Sequence, residues 1–115
     1  ISLMASIVEL SAKIIKTKLR LTELRNDLAK ANSFDEIFIT DAIHFQSCFL
    51  EEYESQKRDQ VTDLLDDIIH MQDTLDENSD GSDRLEFETE VTCLEQHTGV
   101  KLHKLLEDHH VRHEA

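Results

Sequence analysis

The residues of this chain best suited to chemistry are two His/Cys pairs, an acidic loop and a histidine-rich tail. His44 and Cys48 stand four apart, as do Cys93 and His97. On a helix that spacing puts both members of a pair on one face, and together the pairs have the make-up of a Cys2His2 zinc site. Helical arithmetic argues against it within one chain. If the chain reverses near Ser79, Cys93 stands opposite about residue 66, and Cys48 lies roughly 27 Å further along the helix. That is too far to share a metal or form a disulfide, although a site across a dimer escapes the objection. The cysteines are therefore expected as small buried residues of a helical core.

The stretch from Asp76 to Asp83 reads DENSDGSD, and Asp76, Asn78, Asp80 and Gly81 match positions one, three, five and six of a calcium-binding EF-hand loop. Calcium needs a bidentate glutamate at position twelve, which here is Phe87; Glu86 and Glu88 miss on either side. A solvated reversal is the preferred reading. In the tail, His109 and His113 are one turn apart and could chelate a divalent ion or respond to pH, beside His103 and His110. A charged, solvated helix end, with Glu107 and Asp108, is the preferred reading. No metal or other cofactor is expected, with Asp76, Asn78, Asp80, His109 and His113 as residual metal candidates. A calcium- or metal-responsive helical regulator is the alternative function that they define. No nucleophile motif, glycine-rich phosphate loop or basic-aromatic patch occurs, so neither an enzyme nor a small-molecule substrate is expected.

These side chains must be carried by helices, because almost nothing in the chain interrupts one. There is no proline, and the two glycines fall where helices would stop. Ile7, Leu10, Ile14, Leu21, Leu24 and Leu28 recur at heptad spacing, with Thr17 in the one polar gap. A second row, Met4, Val8, Ile15 and Leu19, widens this face beyond the need of a two-stranded coil. A first helix is predicted from about Ser2 to Ala31. Ser33 with Glu36 forms a capping box for the second. That helix opens on an aromatic stripe, Phe34, Phe38, Phe45 and Phe49, with Ala42 filling the step between, read as core. From Glu51 to Gln60 the chain is polar, consistent with either a continuous helix or a joint. Apolar spacing returns at Val61, Leu64, Leu65, Ile68, Met71 and Leu75. Asp83 with Glu86 offers a second capping box, launching a third helix through Leu85, Val91 and Leu94. Gly99 then stops it in the manner of a Schellman motif. The segment after Gly99 is read as a short helix on Leu102, Leu105 and Leu106, with a short strand as the alternative.

The expected fold is all-α: three long helices in a bundle or coiled coil and a short fourth element after residue 99. Residues 1–115 form one helical region, read as part of a longer protein because the chain begins with Ile1. Hydrophobic content of 39% is lean for a self-contained globule, and 32% charged residues suit exposed helical faces. No apolar run approaches the roughly 20 residues that span a bilayer, and two cysteines point to a reducing, intracellular compartment such as cytoplasm or nucleus. A net charge of −13 speaks against direct nucleic-acid binding. Residues 1–32 carry six basic and three acidic side chains, net +3, leaving −16 on the rest. The first helix is thus suited to lie against acidic helices.

The run from Leu85-Glu86-Phe87-Glu88 through Leu94-Glu95-Gln96-His97-Thr98-Gly99-Val100-Lys101-Leu102 resembles a junction in coiled-coil subunits of kinetochore and other chromosome-segregation complexes. There such a helix end precedes a small globular fold, for which the residues after Leu102 leave no room. The resemblance implies an assembly subunit of the cell-division apparatus, without catalytic residues. Together with the heptad pattern it leads to a structural or scaffold protein that binds a helical partner, or itself. The expected binding face is the seam Ile7, Leu10, Ile14, Leu21, Leu24 and Leu28.

Overall fold

The computed structural model describes residues 3–75 and 81–114, apart from the side chains of 111–114. Four α-helices follow one another: α1 (Leu3–Lys30), α2 (Ser33–Asp73), α3 (Gly81–Thr98) and α4 (Leu102–Glu114). No strand occurs among the described residues, so the class is all-α and the segment after Gly99 is helical. The polar run 51–60 is continuous helix within α2. Its charged and amide side chains are good helix formers, and nothing in it favours a break.

Helix ends follow local chemistry, with two shifts from the sequence reading. Asn32, not Ser33, caps α2: its Oδ1 accepts the Asp35 N–H at 2.8 Å, and its backbone oxygen accepts that of Glu36 at 2.9 Å. Asp83 lies inside the first turn of α3 instead of capping it, where a carboxylate still suits the positive end of the helix dipole. At the far end of α3, Gly99 takes φ +71° and donates its N–H to Glu95 O at 2.9 Å. This is the single-bond left-handed cap and not the full Schellman pair, because the Val100 N–H goes to Thr98 Oγ1 at 3.3 Å.

The chain divides into two compact units, Ile1–Val8 with Asp59–Ala115, and Glu9–Arg58. In the first, Ile7, Leu64, Ile68, Phe87, Val91, Leu102 and Leu106 form one buried cluster drawn from all four helices. His110 Nε2 donates to Gln72 Oε1 at 3.1 Å, tying α4 to α2. Leu85, expected inward, is exposed, and Phe87 takes the buried position on α3.

The second unit is a helical hairpin. Its buried row on α1 is Leu10, Ile14, Thr17, Leu21 and Leu24. Thr17 is tolerated in this row because its hydroxyl donates to Lys13 O at 2.8 Å. On α2 the half-buried residues include Ile39, Ile43, Leu50 and Tyr53. The aromatic stripe, expected as core, points away: Phe34 is 70% exposed, Phe38 61%, Phe45 63% and Phe49 47%. Ile39, Ile43 and Leu50 each follow a member of the Phe38, Ala42, Phe49 row by one residue, a turn of about 100° around the axis. A two-helix contact has room for one such row, and the aliphatic one takes it.

Candidate interaction surface

The two helices of the hairpin present a common face beside their seam. A groove of about 570 Å³ is walled by Lys16, Leu19, Arg20 and Glu23 of α1 and by Gln46, Phe49 and Tyr53 of α2. Nearer the turn, a second groove of about 370 Å³ is walled by Asp27, Lys30 and Ala31 on one side and Asp35, Phe38 and Ile39 on the other. Lys16, Glu23 and Lys30 are seven apart, and Phe38 and Phe49 eleven apart, so each helix offers one stripe to both grooves. Phe45 lies on the same stripe between Phe38 and Phe49. Leu19, 62% exposed, stands on the opposite wall from Phe49.

Charge on this hairpin is divided by helix. Glu9–Lys30 of α1 is net positive and Phe34–Arg58 of α2 net negative. Lys18 Nζ approaches Glu54 Oε1 at 3.8 Å, and Lys13 Nζ sits 5.7 Å from the Tyr53 ring centre. Within α1, Arg20 pairs with Glu23 at 3.2 Å. All these pairs are exposed, so each contributes at most about 1 kcal/mol.

The seam that the sequence nominated for partner binding is occupied from within. Ile7, Leu10, Ile14, Leu21 and Leu24 are buried and Leu28 half-buried by the chain's own helices. The face left open is therefore the neighbouring aromatic one, together with Leu19 from the second row of α1. Apolar spacing revealed that both stripes exist; which would be covered depended on how the helices meet.

Asp76, Asn78 and Asp80 and the side chain of His113 lie outside the described residues. His109 is half-buried on α4. Among the described residues no group of three or more His, Cys, Asp or Glu could hold a metal ion. Cys48 and Cys93, expected in the core, are both exposed and in no disulfide, because they sit on the outward faces of their helices. The Cys48 thiol lies 3.9 Å from His44 Nε2, a weak contact one turn back along α2.

One polar cluster was not anticipated. Glu88 and Glu95 are two turns apart on α3, and the reversal at Gly99 brings His103 between them. His103 Nε2 lies 2.7 Å from Glu88 Oε2, and Nδ1 bonds Glu95 Oε1. The His103 backbone N–H also reaches Glu95 Oε2 at 3.5 Å. Only the imidazolium donates from both nitrogens. The bonds to Glu95 and Glu88 accordingly raise the His103 pKa, and the His103 side chain lowers that of Glu95 against the opposing effect of burial. The seven-residue spacing of the glutamates was the available signal, but their partner comes from the next helix.

Comparison with known protein families, with curated proteins and with solved structures finds no match. Among the described residues, no helix is long and apolar enough to cross a membrane.

Proposed function

We propose that this protein is a non-catalytic assembly subunit that binds other helical protein surfaces through the aromatic face of its α1–α2 hairpin. One observation carries the reading: four of the five phenylalanines are exposed on a single helix, beside a seam that is already filled. Contiguous exposed apolar surface bounded by charges is characteristic of interaction sites, and aromatic side chains supply much of the energy of such contacts. Each phenylalanine covered by a partner would contribute roughly 1.5–3 kcal/mol before the entropy of association is subtracted. Residues 85–102 are similar to a junction in chromosome-segregation coiled coils, which supports placing the assembly inside the cell, in the division apparatus.

The test is affinity capture, comparing the wild-type chain with a Phe45→Asp/Phe49→Asp variant. A partner used by this face is retained by the wild type and lost by the variant while helix content is unchanged. Equal capture by both would remove the aromatic face from the reading.

A further inference from the structure

We propose that the occupant of the aromatic face is a second copy of this chain, packed so that α1 of one copy lies over α2 of the other. The proposal rests on the assembly reading above and commits it to one partner. Its result is a four-helix arrangement of two hairpins, with Phe38, Phe45, Phe49 and Leu19 of each copy between them.

Area is the first argument. At their observed exposures, three phenylalanines and one leucine offer roughly 400–500 Å² of apolar surface per copy, taking about 200 Å² for a whole aromatic side chain. Apolar atoms make up about 60% of a typical interface. Two copies packed over all of it would therefore bury about 1,300–1,700 Å² in total, within the range of specific, stable interfaces. A lone hairpin has only its single seam to bury, and a second layer is what such a face requires.

Charge chooses both the partner and its orientation. The α1 part of the hairpin is basic and the α2 part acidic. Face-to-face packing about a two-fold axis parallel to the helices sets each α1 over the partner's α2, opposing unlike charges twice. The other in-plane axis, perpendicular to the helices, sets α1 on α1 and α2 on α2, opposing like charges. The parallel axis also preserves level along the helices. Lys16 shares its groove with Tyr53, and Glu52 is the exposed neighbour of Tyr53 that receives the Gln56 amide at 3.2 Å. Lys16 of each copy thus meets Glu52 of the other. At the turn, Lys30 and Asp35 line one groove and make the corresponding pair. A self-complementary surface of this kind closes at two copies.

Sedimentation equilibrium of the full chain tests this, with circular dichroism as the check on folding. The wild type is expected to be dimeric at micromolar concentration. Phe45→Asp/Phe49→Asp is expected to be monomeric with unchanged helix content. Lys16→Glu alone and Glu52→Lys alone each convert two attractive pairs into repulsive ones and should weaken the dimer by about tenfold or more. Mixing those two variants restores both pairs and should recover wild-type affinity as a heterodimer. A wild type monomeric at about 100 μM overturns the proposal, as does a dimer indifferent to the Phe45/Phe49 change or a mixture no tighter than the single variants. A photo-crosslinking p-benzoylphenylalanine at position 49 separates this failure from failure of the assembly reading. Crosslinks to a different protein overturn the second copy but keep the face. No crosslink from cells overturns both.

Discussion

His103 stands between Glu88 and Glu95, with its Nε2 2.7 Å from Glu88 Oε2. The arrangement makes the α3–α4 junction pH-sensitive. His103 has a raised pKa in the folded chain, so its contribution is fully present below the unfolded value near 6.5 and is lost as pH rises through the folded value. Glu95 has a lowered pKa, so its contribution is present above about 4.5 and is lost as pH falls through the folded value. The junction is most stable between these limits. Because the cluster is partly exposed, the change from pH 6 to pH 9 should be no more than about 1 kcal/mol. Thermal melts across this range should show the midpoint falling with rising pH, and His103→Ala should remove that dependence.

Gly99 carries a left-handed φ of +71°, and a Cβ built there meets nothing within 4 Å. Replacing it with alanine therefore acts through the backbone alone. Gly99→Ala should lower stability by about 1–2 kcal/mol, and Gly99→Asn by less. Urea denaturation of the three proteins measures the order; equal midpoints would show that the cap is not required.

Ile68 is fully buried among Ile7, Leu64, Val91 and Leu102, whereas Leu85 is largely exposed. Ile68→Ala should cost about 2–5 kcal/mol through lost transfer energy and the cavity left behind. Leu85→Ala should stay within about 0.5 kcal/mol. Comparing the two by denaturant midpoint checks which apolar positions form the core.

The Gln60 side-chain carbonyl is buried and has no hydrogen-bond partner among the described residues. Removing such a group while keeping its bulk relieves a desolvation penalty. Gln60→Leu should raise stability by about 1 kcal/mol, read as a higher urea midpoint. An unchanged or lower midpoint would mean that the oxygen finds a partner in solution.

Leu21 and Leu24 lie in the closed seam of the hairpin. Aspartate at both positions should therefore unfold the hairpin by burying charge, and not merely release a partner. Circular dichroism distinguishes the outcomes: helix content falls in the first case and holds in the second.

The helices themselves were legible in the residues. Absence of proline, the heptad spacing of Ile7 to Leu28, the stop at Gly99 and the polar break near Asn32 each act over a few neighbouring positions, so sequence determined α1, the α1–α2 turn and the end of α3. The choice between rows was not local. Ile39, Ile43 and Leu50 sit one residue on from Phe38, Ala42 and Phe49, and both rows have helical spacing; only the approach of α1 decided that the aliphatic row is covered and the aromatic one left open. Cys48 and Cys93 are exposed for the same reason, since small size favours burial only on a face that meets another helix. The His103 cluster belongs wholly to the tertiary structure, because its members come from two helices whose meeting depends on the reversal at Gly99. Periodicity records how a helix divides its surface, and packing alone decides which part of that surface meets a neighbour.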